Sequence, residues 1–120
     1  MGSPIQSIRV FIGAKDYHQS RSFYKDWGFE EMVTSEKMSY FTRDGFGFYL
    51  QDQYDKHWLE NTMIFLEVES LSDYWEKLRS KKLDEKYPSV KLVEPTSFEW
   101  GSEGFIYDPS GVLWHIGQFT

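Results

Sequence analysis

The sequence contains no cysteine among its 120 residues. A disulfide framework, thiolate chemistry and a zinc site with sulfur ligands are therefore excluded, whereas the absence of cysteine alone leaves the cellular compartment open. No apolar run approaches the roughly 18 residues that a membrane span needs, and no signal peptide stands at the amino terminus. We therefore expect a cytoplasmic protein, and its length predicts a single domain with one core.

Basic residues are also few relative to acidic ones: the chain has 13 lysines and arginines and 19 aspartates and glutamates, which gives a net charge of -6. This balance argues against nucleic acid and anionic membranes as partners and favours neutral or cationic ligands. Aromatic residues, in contrast, make up 19% of the chain. Such a content indicates either a dense aromatic core or an aromatic-lined pocket, and the composition does not decide between the two.

The predicted elements occur in the same order twice. An alternating strand at 8–12 places Ile8, Val10 and Ile12 on one face, and a helix follows that Asp16 begins and Gly28 ends. Three strands come next, at about 29–34, 38–43 and 46–51, with a tight turn between the last two. After a polar connector at 52–61, the order returns as a strand at 62–69, a helix at 71–83, a strand at 90–95 and a hairpin of strands at 104–107 and 112–119.

Two short motifs carry a family resemblance: Asp16, Phe23, Tyr24, Gly28 and Phe29 around the first helix, and Asp108-Pro109-Ser110-Gly111 before the last strand. With the doubled element order, they resemble the vicinal oxygen chelate superfamily (glyoxalases, extradiol dioxygenases and bleomycin-resistance proteins), and the bleomycin-resistance branch most. The resemblance implies an α+β fold in which two tandem β-α-β-β-β modules, at about 7–54 and 61–119 of one domain (1–120), form curved mixed sheets around a cleft. It also implies a homodimer, in which modules pair within or between chains. In this fold Ile8, Val10 and Ile12 would pack on the first helix, and Arg9 and Phe11 would face the cleft.

Metal-dependent members of this superfamily hold a divalent ion with one ligand from each of four strands. The matching positions here are Arg9, Tyr49, Met63 and His115. Arginine is a fixed cation, methionine is a soft, weak donor and tyrosine would have to bind as a phenolate, so only His115 is a good ligand. We therefore predict no metal and no cofactor, and interpret His115 as a solitary polar group in a binding cleft or one that clamps an anion together with Arg9.

The resemblance implies a protein that binds and sequesters a small molecule in an aromatic cleft at the dimer interface. No nucleophile motif, phosphate loop or paired carboxylate stands out, so no catalytic residue is predicted. A superfamily enzyme (a lyase, isomerase or transferase) and a structural or partner-binding module remain alternatives, and ordinary packing is an alternative for Phe11 and Phe65. The candidate ligand-binding residues, for an aromatic or cationic ligand, are Arg9, Phe11, Met38, Tyr49, Gln51, Glu60, Met63, Phe65, Trp100 and His115.

Overall fold

A computed structural model describes residues 2–120 as eight strands and four helices. The elements, in chain order, are β1 (Phe11–Gly13), α1 (Tyr17–Trp27), β2 (Glu30–Ser35), β3 (Met38–Arg43), β4 (Phe46–Gln51), α2 (Lys56–Glu60), β5 (Met63–Glu67), α3 (Leu71–Ser80), α4 (Leu83–Lys86), β6 (Lys91–Phe98), β7 (Gly101–Tyr107) and β8 (Leu113–Phe119). The short helices α2 and α4 were not predicted. The helix α3 ends three residues earlier than expected, and β7 begins three residues earlier.

The strands form two four-stranded sheets with the same topology. Their orders are β1-β4-β3-β2 and β5-β8-β7-β6. In each sheet the first strand runs parallel to the last strand of its module, and the other neighbours are antiparallel. The predicted α+β fold of two β-α-β-β-β modules is therefore confirmed.

Local signals in the sequence set the ends of the helices and the tightest turns. The Asp16 carboxylate accepts a hydrogen bond from the Gln19 amide at 3.1 Å, as a helix N-cap does. Gly28 ends α1 with a φ of 123°, a conformation that an L side chain rarely adopts. Asp44 and Gly45 both have positive φ, which is the geometry of a two-residue hairpin.

One aromatic core joins the two modules. Trp114 of β8 packs with its ring centroid 5.0 Å from that of Trp27 in α1 and 5.3 Å from that of Phe48 in β4. These three side chains and Trp75 of α3 are buried. The helix-facing sides of both sheets therefore share one core, and the predicted core positions of Trp27 and Trp75 are confirmed.

The amino-terminal strand is shorter than predicted, and two of its apolar side chains do not reach the core. Ile12 is fully buried, but Ile8 and Val10 are 85% and 47% exposed. The expectation that all three pack on the first helix is therefore wrong for Ile8 and Val10. The parallel pairing with β4 begins only at Phe11, and one hydrogen bond, from the Tyr49 amide to the Val10 carbonyl, precedes it. No neighbouring strand therefore holds the earlier residues over the helix.

A buried carboxylate ties the closing hairpin to the first helix. Asp108 accepts hydrogen bonds from the Tyr24 hydroxyl at 2.6 Å and from the Ser110 and Val112 amides at 2.8 and 2.9 Å. The indole of Trp114 donates in turn to the Tyr24 oxygen at 3.0 Å. Burial raises the pKa of Asp108 to about 6, although these donors act in the opposite direction. The Asp-Pro-Ser-Gly motif thus makes a turn and also links the two modules.

Candidate functional site

The first sheet turns a cationic, aromatic face away from the core. Phe11 and Tyr49 are partners in the β1–β4 register, and their rings stack with centroids 4.7 Å apart. The Arg9 guanidinium donates to the Tyr49 hydroxyl at 2.9 Å and lies 4.2 Å from the ring centroid of Tyr40. Three predicted residues are therefore together, with Tyr40 as a fourth member that the sequence analysis missed. Because Tyr40 is the partner of Tyr49 in the β3–β4 register, only strand pairing brings it to Arg9.

The second sheet turns a larger ring surface outward. We call Phe65, Phe98, Trp100 and Phe119 the ring cluster. Trp100 lies with its centroid 5.7 Å from Phe98, 5.3 Å from Phe119 and 6.2 Å from Phe65. The four side chains are between 38% and 53% exposed. Phe98 and Phe119 were not predicted, and Phe119 could have been found from its position two residues beyond Gly117 on the same alternating face of β8.

His115 lies beside the ring cluster and has a partner. Its Nδ1 is 2.6 Å from the Glu103 carboxylate, and its Nε2 is 3.4 Å from the Met63 sulfur. Phe65 and Phe105 pair with His115 across its two neighbouring strands, and the Phe65 ring lies at 23° to the imidazole. The interpretation of His115 as a solitary polar group is therefore wrong, because β7 places a carboxylate against it.

The two outward faces are separate within one chain. Among residues 2–120, no hydrogen bond or ring contact joins Arg9, Phe11 or Tyr49 to a residue of the ring cluster or to His115. Arg9 and His115 do not contact each other in one chain, and the clamp of an anionic group between them stays a prediction. Met38 and Gln51 are partners at the end of the β3–β4 pair, on the first sheet.

Glu60 lies outside both sheets. It is in α2, with its carboxylate 4.0 Å from Lys56, and it lies close to Gly111 of the closing turn. Its role in ligand binding, like that of the other candidate residues, stays a prediction.

No metal-binding cluster is present in the part of the chain that the structure describes, since no three histidine, cysteine, aspartate or glutamate side chains converge there. At the four positions that match the superfamily's ligands, Arg9 and Tyr49 are bonded to each other, and His115 is bonded to Glu103 and contacts Met63. The residues present therefore do not fit a divalent metal centre. None of the helices within 2–120 has the length and apolar character of a membrane span.

An open cavity lies on the opposite side of the second sheet from the ring cluster. Its volume is about 630 Å³, and it lies between α3 and strands β6 to β8. Trp75 and Arg79 on its wall both contact the carboxylate of Glu94, at 2.5 and 3.3 Å. These contacts fasten α3 to the irregular part of β6, so we regard the space as a gap between helix and sheet.

No family model matches the sequence, and no curated protein matches it. Solved structures match it closely in fold. The bleomycin-binding protein from bleomycin-producing Streptomyces verticillus, solved with copper(II)-bleomycin, superposes with a TM-score of 0.82 at 16% identity, over 99% of this chain and 100% of that one. A bleomycin resistance determinant encoded on the transposon Tn5 gives 0.75 at 15% identity, over 96% and 98%.

A glyoxalase/bleomycin resistance protein from Catenulispora acidiphila gives a TM-score of 0.75 at 14% identity, over 97% of this chain and 100% of that one. The matched proteins thus include a bleomycin-binding protein, a bleomycin resistance determinant and a glyoxalase/bleomycin resistance protein, and each superposition spans nearly the whole of both chains. The chain has the glyoxalase/bleomycin-resistance fold that its motifs predicted.

Proposed function

We propose that this protein binds and sequesters a flat, extended small molecule without a catalytic metal. The observation that carries the proposal is the ring cluster, because four large apolar side chains on one face stand more than a third exposed. Exposed apolar patches of this kind mark binding surfaces, and stacked rings suit a conjugated ligand. The copper(II)-bleomycin complex of the Streptomyces verticillus protein supports a ligand of this class on the same fold.

We further propose that the complete cleft forms between two copies of the chain. The first-sheet face exposes Phe11 at 48%, and the segment before β1 leaves Ile5 and Ile8 more exposed still, so apolar surface at and next to this face is uncovered in one chain. A second copy that turned its ring cluster toward this face would enclose a cleft between the two surfaces. Arg9 and Tyr49 of one copy would then lie opposite Phe65 and His115 of the other.

Tryptophan fluorescence tests the ligand proposal. Trp27, Trp75 and Trp114 are buried, and Trp58 is partly buried in α2, so an exposed ligand site would act mainly on Trp100. Titration with metal-free bleomycin, copper(II)-bleomycin and a panel of aromatic natural products should quench the emission and raise the melting temperature. Unchanged emission and melting temperature across the whole panel would refute the proposal.

A matched pair of variants locates the site. Trp100→Ala should weaken binding of the quenching compound about fivefold or more, since loss of a stacked ring at a binding site costs about 1–3 kcal/mol. Trp58→Phe should leave the affinity within about twofold, because Trp58 packs against the core. Equal losses in the two variants would place the ligand elsewhere.

Sedimentation velocity tests the assembly. We expect a dimer for the native chain and a monomer for Phe11→Asp. Phe46→Asp is the control, because Phe46 is 80% exposed at the turn between β3 and β4 and has no place in the proposed interface. A native chain that stays monomeric at all concentrations would refute the dimeric cleft. The cytoplasmic location stays a prediction.

A further inference from the structure

The feature that the proposed function does not explain is the polar pair beside the ring cluster. The Glu103 carboxylate lies 2.6 Å from Nδ1 of His115, and the two side chains are only 13% and 22% exposed. Phe105 covers the imidazole edge-on at 5.0 Å, and Phe65 lies nearly parallel to it at 6.2 Å. The imidazole is therefore held from both neighbouring strands and cannot turn freely.

The two ring nitrogens of His115 face unequal acceptors. Nδ1 faces a carboxylate, whereas Nε2 faces the thioether of Met63, which accepts hydrogen bonds only weakly. In the neutral imidazole, the single ring proton therefore belongs on Nδ1, and Nε2 carries the lone pair. Met63 is 65% exposed and flexible, so its end can move aside and open Nε2 to a ligand.

We propose that Glu103 is a positioning residue that makes His115 Nε2 the hydrogen-bond acceptor for the ligand. The ligand class that fits is a flat ring that carries an O–H or N–H group. Phe65 makes this combination possible, because its ring is next to the imidazole on one side and 6.2 Å from Trp100 on the other. The ring cluster and the hydrogen-bond acceptor of His115 are thus adjacent. This inference rests on the proposed function, of which it specifies the ligand chemistry.

The first test needs no ligand. Long-range nitrogen–proton correlation spectra of the ¹⁵N-labelled protein, recorded at alkaline pH, should show the ring proton of His115 on Nδ1. His18 is an internal reference with the opposite expectation, because the Arg21 guanidinium donates to its Nδ1 at 3.2 Å and so leaves the proton on Nε2. Glu103→Gln should abolish the preference at His115, since an amide both donates and accepts. A proton on Nε2 of His115 in the native protein would overturn the inference.

The second test compares two probes that differ only in the donor group, 2-naphthol and 2-methoxynaphthalene, by chemical-shift perturbation. The native protein should bind 2-naphthol about fivefold more tightly, as one added hydrogen bond allows. In His115→Phe and in Glu103→Gln, the preference should fall below about twofold. Glu99→Gln removes an exposed negative charge nearby and should keep the preference.

The outcomes separate the two proposals. Equal affinity of the native protein for both probes would leave the flat-ring site standing and overturn the acceptor role of His115. A preference for 2-naphthol that survives Glu103→Gln would overturn the positioning role of Glu103. Failure of both probes to perturb the resonances of the ring cluster would count against this inference and the proposed function together.

Discussion

The substitution Tyr24→Phe tests the link between the modules most directly. The Tyr24 hydroxyl is fully buried, donates to Asp108 at 2.6 Å and accepts from the indole of Trp114 at 3.0 Å. Its removal leaves the indole N–H without that acceptor and takes one of three donors from a buried carboxylate. An unsatisfied buried polar group costs about 1–3 kcal/mol, and more when it is charged, so we expect a loss of about 3 kcal/mol in the free energy of unfolding.

Urea unfolding measures this loss. With a slope of about 2 kcal/mol per molar urea, the midpoint should fall by about 1.5 M while the slope itself stays unchanged. Tyr17→Phe is the matched control, because Tyr17 is also buried on α1 and its hydroxyl contacts only Ser39, at 3.1 Å. Ser39 keeps its bond to Glu31 at 2.6 Å, so the control should cost less than about 1 kcal/mol. Equal losses in the two variants would refute the argument that the Asp108 network links the modules.

Three further predictions concern pH, metal content and a helix end. Because the pKa of Asp108 is raised in the fold, its contribution to stability is fully present below its unfolded value of 3.8 and is lost as the pH rises through about 6. The free energy of unfolding of the native protein, relative to that of Asp108→Asn, should therefore fall by up to about 3 kcal/mol between pH 4 and 7. A difference between the two urea midpoints that does not change with pH would contradict this. Burial raises the pKa of Glu31, but its bonds to Arg21 and Ser39 outweigh burial and lower that pKa overall, so Glu31 stabilises the fold more at higher pH. Only the difference in stability between the native protein and Asp108→Asn therefore isolates the effect of Asp108. Elemental analysis of the purified protein should find no stoichiometric divalent metal, and EDTA should leave the melting temperature unchanged; one bound ion per chain would overturn the reading of the four strand positions. Gly28→Ala should cost about 1–2 kcal/mol in urea unfolding, because Ala must adopt a φ of 123°, whereas Gly2→Ala, in open space, should have no effect.

Residues of the candidate site could be predicted only where alternation along an individual strand shows which face a side chain takes. Alternation along β5 and β8 brought Phe65 and His115 to the same face, and the register confirms that they are neighbours. Glu103 was not predicted as a partner of His115, since nothing local shows that β7 sets it against the imidazole. The same applies to Tyr40, which meets Arg9 through the pairing of β3 with β4. Contacts across strands depend on the register, which residues distant in sequence determine.

Features that arise within a few residues of one another could be predicted from the sequence. These are the two ends of α1, the turns at Asp44-Gly45 and at 108–111, and the doubled order of elements that indicates the fold. Each depends on a side chain or a φ angle that acts on its own backbone. Long-range packing leaves Ile8 and Val10 outside the core, sets Glu103 against His115 and puts the two faces with candidate residues on separate sheets. No local signal predicts these contacts, because burial and pairing depend on which segments lie opposite one another, and that depends on how the whole chain packs.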